Sequence, residues 1–205
     1  MNADDVPLSA EDFQNGTMLL VDKPLNWTSF DVVNKIRYRL RRLGLKNIKV
    51  GHAGTLDPMA TGLLLICTGK FTKRLNELQG LPKTYTGTIC LGATTASYDS
   101  ESEIEAHYPT DHITPELLEA ARQQFIGAIE QVPPIFSAVK VDGQPAYKKA
   151  RKGADVQLSA RPVEIYDFHL SGEALPCIDF SVHCSKGTYI RTLAHDFGKA
   201  VRSGA

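Results

Sequence analysis

Apolar residues recur along the chain with two distinct periods. Val32, Val33, Ile36, Leu40 and Leu43 fall on one helical face. Thr28, with Asp31 three residues on, forms a capping-box-like start, and Gly44 closes the segment. The same period returns in Leu117, Leu118, Ala121, Phe125 and Ile129 after Thr114-Pro115. It returns again in Ile190, Leu193, Ala194, Phe197 and Val201 after Tyr189, so two further helices are predicted. A short helix is expected near Phe71 to Leu78. Shorter apolar runs read as strands: Thr17 to Val21, stopped by Lys23-Pro24; a stretch around Ile48 to Gly51; Leu63 to Cys67; and Thr84 to Leu91, with alternating Tyr85, Gly87 and Ile89. Ser137 to Val141 with an Asp142-Gly143 turn, and the pair Pro162 to Leu170 and Ile178 to Cys184, complete the set. Residues 1–16 are polar and expected to be a flexible segment, leaving residues 17–205 as one domain. Strands and helices are interspersed, and hairpin signals outnumber strand-helix-strand units. The expected class is α+β, with a mixed, largely antiparallel central sheet flanked by helices.

The 205 residues are 42% hydrophobic and 22% charged. This is ordinary globular usage, enough for a sizeable core, and it excludes a disordered tail, a collagen-like fibre or a coiled coil. The longest apolar stretch, Leu63 to Cys67, is too short to cross a bilayer. The acidic opening Met1-Asn2-Ala3-Asp4-Asp5 does not read as a secretion signal. Lys+Arg and Asp+Glu both number 23, for zero formal charge, so a nucleic-acid partner must be argued from where the charges sit. Lys35, Arg39, Arg42 and Lys46 share one helical face, and no acid interrupts Asn34 to Lys49. That stripe reads either as a solvated face or as a phosphate-binding surface. Lys73, Arg74, Lys148, Lys149, Arg151 and Lys152 carry the same two readings. Cys67, Cys90, Cys177 and Cys184 form no C-x-x-C pair and sit beside apolar runs, so reduced core thiols in a cytoplasmic protein are expected. The histidines lack metal spacing. Asp99, Glu101, Glu103 and Glu105 read as a solvated loop rather than a cation site.

The segment Gly51-His52-Ala53-Gly54-Thr55-Leu56-Asp57-Pro58-Met59-Ala60-Thr61-Gly62 stands apart. Its glycines permit unusual backbone angles, and Pro58 pushes Asp57 toward extended geometry. Asp57 thus sits on a stiffened loop leading into an apolar strand, where a polar group is held at the edge of a core. Locally the aspartate also reads as a turn cap and His52 as a hydrogen-bonded loop residue. Spacing alone does not choose a reaction.

The segment resembles the G-H-x-G-x-L-D-P-x-A-x-G-x-L motif of the TruB family of tRNA pseudouridine synthases. Four further motifs follow the family's order: Leu20-Val21-Asp22-Lys23-Pro24; Lys83-Thr84-Tyr85; Val132-Pro133-Pro134-Ile135-Phe136-Ser137-Ala138-Val139-Lys140; and Ser185-Lys186-Gly187-Thr188-Tyr189-Ile190-Arg191-Thr192-Leu193. The resemblance covers roughly residues 17 to 201. It implies a pseudouridine synthase fold and the isomerisation of uridine to pseudouridine at tRNA position 55, in the T-loop, without metal or cofactor.

Under that resemblance Asp57 is the nucleophile, attacking either the ribose anomeric carbon or the pyrimidine ring. Arg191 pairs with it and keeps it ionised. Tyr85 stacks on the extruded base and can move a proton, Tyr189 forms a pocket wall, and His52 helps the nucleotide turn out. Lys23, Pro24, Gly54 and Leu56 support the loop. Lys35, Arg39, Arg42, Lys73, Lys148 and Arg151 are candidates for RNA backbone contacts. The partner implied is the T-arm stem-loop of tRNA, bound by a monomer. Each residue keeps a bland reading: Tyr85 as a core aromatic, Arg191 as a helix-start cation. Family members continue beyond the point where this sequence stops, so residues 17–205 are expected to form the catalytic domain without the family's C-terminal end. A non-catalytic tRNA-binding or folding module on the same fold is the rival function. A metal-dependent phosphatase is disfavoured, because no paired carboxylates or P-loop accompany Asp57.

Overall fold

A computed structural model describes residues 8–137, 139–141, 143–150, 156–172 and 175–205. The chain divides into two compact units, Met1–Leu81 and Pro82–Ala205. Every strand ladder among the described residues is antiparallel, and helices accompany both main sheets, as the α+β reading expects. Each unit carries one of the two main sheets.

The first unit contains α1 (Ala10–Asn15), β1 (Met18–Lys23), α2 (Ser29–Arg42), β2 (Val50–His52), β3 (Gly62–Thr68), a 3-10 turn (Gly69–Arg74) and α3 (Leu75–Gly80). Its sheet has the order β1-β3-β2. Val32, Val33 and Leu40 of α2 bury their side chains with Val50, Leu64 and Ile66 of the sheet. Within the segment expected to fray, α1 forms because Ser9 and Asp12 make a reciprocal capping box, and Phe13 packs against the core. The Thr28–Asp31 box starts α2 as expected. The helix ends in a Schellman arrangement, with Leu45 N–H bonded to Leu40 O and Gly44 N–H to Arg41 O; Gly44 takes a φ of +88°. Lys46 therefore lies beyond the helix, and the expected stripe reduces to Lys35, Arg39 and Arg42, all exposed. Strand β1 runs on through Lys23, which pairs with Gly62, instead of stopping before it. The strand is only half-buried.

The second unit contains β4 (Lys83–Cys90), β5 (Ala93–Thr95), β6 (Ile104–His107), α4 (Pro115–Gln123), β7 (Gly127–Gln131), β8 (Lys140–Val141), β9 (Gln144–Pro145), α5 (Ala146–Ala150), β10 (Arg161–Ser171), β11 (Cys177–Cys184) and α6 (Ile190–Ala200). The main sheet has the order β4-β11-β10-β7. Its core gathers Ile165, Phe168, Phe180 and Val182 from the sheet with Leu193, Phe197 and Val201 from α6 and the turn after it. Phe168 meets Phe180 and Phe197 edge-on, with centroids 6.3 and 5.8 Å apart. Helix α4 is shorter than its apolar spacing suggests. Gly127, at a φ of +91°, turns the chain into β7, and Ile129 pairs with Val163. The acidic segment expected to be irregular contributes a strand to the β5–β6 hairpin. Cys90 and Cys177 stand opposite each other in the β4–β11 ladder and are joined as a disulfide, against the expectation of four reduced thiols. Cys67 and Cys184 are free and buried. No helix among the described residues is long and apolar enough to cross a membrane.

Candidate active site

In the first unit, the loop between β2 and β3 holds Asp57. His52, the last residue of β2, pairs with Ile66, and Ala53 N–H donates to Leu65 O at 2.9 Å. The chain then turns at Gly54, whose φ is +117°, a conformation costly for a side-chain-bearing residue. The His52 ring Nδ1 faces the Gly54 carbonyl. A carbonyl only accepts, so Nδ1 is the donor in this contact.

Both residues flanking Asp57 are pinned. Ser29, in the first turn of α2, accepts from Leu56 N–H at 2.9 Å and donates back to Leu56 O at 3.1 Å. Leu56 also packs against the unit's core. On the other side, Pro58 O accepts from Asn26 N–H at 2.9 Å and from Lys23 Nζ at 3.3 Å. Ala60 N–H donates to Asp57 O at 3.0 Å, and Gly62 N–H to the Asp22 carboxylate at 3.1 Å. The result is a half-buried aspartate on a backbone held at its neighbours by α2, β1 and the β1–α2 turn. This is how a reactive group is kept in one geometry while still open to solvent.

Lys23 is among the largest fully buried side chains of the described residues. Its three ammonium hydrogens meet three carbonyls, those of Trp27 at 2.6 Å, Pro24 at 2.9 Å and Pro58 at 3.3 Å. Burial pulls its pKa below the ordinary lysine value, and the charges of Asp57 and Asp31 oppose that pull. The Lys23 ammonium thereby ties the β1–α2 turn to Pro58, the residue after Asp57.

In the second unit, Tyr85 lies on β4 opposite Val182, half-buried against the core. Tyr189 is the N-cap residue of α6. Its backbone is clamped by buried Gln131 at the end of β7: Tyr189 N–H donates to Oε1 at 2.9 Å, and Nε2 donates to Tyr189 O at 3.4 Å. Arg191 follows in the first turn. Its guanidinium donates to Ser97 O at 2.9 Å and Phe136 O at 3.0 Å and lies 3.5 Å from the Asp99 carboxylate, both side chains being about 15% exposed. Asp99 itself accepts from Ser97 Oγ and from Glu101 N–H. The planar fork of Arg191 is therefore set by three acceptors from two segments distant in sequence.

Asp99 corrects the reading of its segment as a solvated acidic loop, because the turn folds its carboxylate toward Arg191. Ser29, Asn26 and Gln131 were not singled out from the sequence, and Asp99 was read there only as part of a solvated loop. Ser29 and Asn26 flank the Thr28 capping position, whereas nothing near Gln131 or Asp99 marks their distant partners. Asp57, His52, Gly54, Leu56, Lys23 and Pro24 belong to the first unit, and Tyr85, Tyr189 and Arg191 to the second. Lys35, Arg39, Arg42 and Lys73 are exposed on the first unit. The side chain of Lys148 and all of Arg151 lie outside the described residues. Among the described residues, no group of three or more His, Cys, Asp or Glu is placed to hold a metal ion.

Residues 41–190 match the model of the TruB family of pseudouridylate synthases, N-terminal domain. The chain belongs to this family. The match spans the Asp57 loop, Tyr85 and the Tyr189 cap. Among relatives, the tRNA pseudouridine synthase B of Flavobacterium johnsoniae is 56% identical over 200 residues, covering 97% of this chain and 87% of that protein. The tRNA pseudouridine synthase B of Phocaeicola vulgatus is 61% identical over 194 residues, covering 94% of this chain and 83% of that protein. Among solved structures, a Cbf5-Nop10-Gar1 complex contains a chain that superposes with a TM-score of 0.69 at 27% identity. The match covers 96% of this TruB-family chain and 48% of the solved one, so the sequence spans about half the length of that structural relative.

Proposed function

We propose that this TruB-family chain isomerises uridine to pseudouridine in tRNA, acting on the T-loop with Asp57 as the nucleophile. The observation that carries the reading is the Asp57 loop. A half-buried carboxylate sits between two residues whose backbones are clamped from α2 and β1, in a chain that belongs to a pseudouridylate synthase family.

The reaction breaks the bond between ribose C1′ and N1 of the base and makes one between C1′ and C5. A proton leaves C5 and one is gained at N1, so composition is unchanged and no external oxidant or group donor is needed. Asp57 forms a transient covalent bond with the nucleoside, which splits one hard step into two easier ones. The target base must leave its stack, at a cost of a few kcal/mol. His52 assists that extrusion. Tyr85 stacks on the base and carries the C5 proton, while Tyr189 and Arg191 contact the nucleoside, Arg191 with its fork held by Asp99 and two carbonyls. Lys23, Pro24, Gly54 and Leu56 hold the loop. The protein acts as a monomer in the cytoplasm on the folded T-arm, whose splayed bases and backbone are what proteins read in RNA.

The test is an unmodified tRNA transcript incubated with the protein, followed by chemical mapping of pseudouridine. Asp57→Asn is expected to abolish the product while leaving tRNA affinity within about twofold and stability within about 1 kcal/mol. Product formation by the variant would remove Asp57 from the chemistry. Tight tRNA binding without product from the unmutated chain would favour a non-catalytic tRNA-folding module.

A further inference from the structure

We propose that the first unit carries a second RNA contact: a lysine-rimmed concavity, at the end of its sheet opposite the Asp57 loop, that takes phosphodiester groups of the paired stem supporting the target loop. The proposal rests on reading the chain as a tRNA-modifying enzyme.

The concavity encloses about 550 Å3. Leu45 and Ile48 line it below a rim of four lysines, Lys46, Lys49, Lys70 and Lys73, all four exposed. Three separate segments build it. The Schellman turn after α2 releases the chain at Gly44 and leads into residues 45–49. Gly69 N–H donates to Lys49 O at 2.9 Å, fastening that loop to the start of the 3-10 turn. The end of α1 rests directly on Gly69, where a side chain would collide with the carbonyls of Phe13 and Gln14; the φ of +52° at this position likewise suits glycine. The rim is therefore held at fixed spacing by the backbone.

The charge is uncompensated. No carboxylate lines the concavity, and among the described residues none pairs with any of the four lysines. Lys70 donates to the neutral Asn15 side chain at 3.4 Å. The acids of the adjoining segments are engaged elsewhere: Asp12 caps α1 through Ser9, Glu11 accepts from Asn15, and Glu77 pairs with Arg74. Four like charges held around one hollow on a chain of zero net charge repel one another unless an anion joins them. Lysine ammoniums are point charges that meet oxyanions from many directions, unlike the planar fork of arginine. They suit the sequence-independent contacts that position a nucleic-acid backbone.

The location selects the stem. The Asp57 loop enters β3 at Gly62, and the concavity begins at Gly69, just past the other end of the strand. Seven residue steps at about 3.3 Å place the two roughly 23 Å apart. Phosphates that far from the target nucleotide belong to the helix below the loop.

The test uses the full chain and the double variant Lys49→Glu/Lys70→Glu, which reverses charge on two facing segments. Binding is measured between about 50 and 200 mM salt for a stem-loop RNA with its complete stem and for one cut to a minimal stem. The variant is expected to weaken binding to the complete stem at least tenfold and to reduce its salt slope by about 1–2, with no change on the cut stem. The neutral pair Lys49→Gln/Lys70→Gln, expected to show a smaller loss in the same direction, keeps the test decisive if charge reversal unfolds the unit, which Trp27 fluorescence reports. An unchanged slope on the complete stem overturns the proposal. So does inorganic phosphate binding at this concavity with the RNA slope unaltered, which would assign it to a free anion. Pseudouridine formation is scored in the same samples. Its absence from the unmutated chain removes the functional reading, whereas its presence with an unchanged slope removes only the concavity.

Discussion

Replacing Lys23 by Met isolates the role of one buried charge. The substitution keeps an unbranched apolar stem and removes the ammonium. Of the three carbonyls it serves, Pro58 O retains Asn26 N–H at 2.9 Å, while Pro24 O and Trp27 O lose the donors at 2.9 and 2.6 Å. Two part-buried acceptors left without their donor cost at most about 1–3 kcal/mol each, so the gross loss is at most about 2–6 kcal/mol. Burying a thioether in place of an ammonium returns part of it, because the lysine charge is itself disfavoured by burial. The expected net loss is about 3 kcal/mol, or about 6–12 °C in Tm for a chain of this size. Trp27 is the only tryptophan and its carbonyl is one of the three acceptors, so its fluorescence in a denaturant melt reports on this unit. Because Lys23 holds the residue after Asp57, kcat should fall while KM for tRNA changes little. A loss below about 1 kcal/mol would refute the hydrogen-bond accounting. Activity lost at undiminished stability would instead place Lys23 against the substrate.

Asp99→Asn removes the carboxylate 3.5 Å from the Arg191 guanidinium but leaves the Ser97 and Phe136 carbonyl acceptors. The expected result is a fall of roughly 10- to 100-fold in kcat from a loosened guanidinium, read from initial rates on a tRNA transcript; an unchanged kcat would make the pair purely structural. Phe168→Ala empties a fully buried site between Phe180 and Phe197 and should cost about 3–5 kcal/mol in a urea melt. Glu119 has its pKa lowered from 4.5 to about 2, chiefly by the Arg122 hydrogen bond and then by Gln123. A depressed carboxyl pKa contributes stability that is complete above pH 4.5 and lost as pH falls through that value toward about 2. Glu119→Gln should flatten that acid limb of the stability curve by lowering stability above pH 4.5 while leaving it little changed near pH 2. A limb of unaltered steepness would count against the assignment.

Local signals were legible in the sequence where cause and effect lie close together. Thr28 and Asp31 announced the start of α2, Gly44 its end, and the β10–β11 pair followed from two apolar runs around a glycine-bearing turn. The Asp57 loop was legible from its glycines and Pro58. Misreadings arose where one spacing fits two structures. Ile129 stands four residues from Phe125, as a helix requires, but also alternates correctly for a strand, and the Gly127 between them settles the matter. Lys46 matched a helical face only if the helix continued past Gly44. The remaining surprises depend on register. Nothing local tells Cys90 that Cys177 will stand opposite, 87 residues away, or tells Asp99 that its turn will present it to Arg191. Burial of a lysine is equally hidden, because the three carbonyls that make it tolerable belong to backbone whose path is set by the fold.

The order β4-β11-β10-β7 has a consequence for how the chain is born. The three strands of the first sheet are all present once residue 68 has been made. Strand β4, by contrast, has its one ladder partner among the described residues in β11, which begins at Cys177. At about 5–20 residues per second, a ribosome leaves β4 waiting roughly 5–20 seconds. During that interval its alternating edge is open to any other extended segment. Nascent-chain chaperones would find a natural client in that waiting strand.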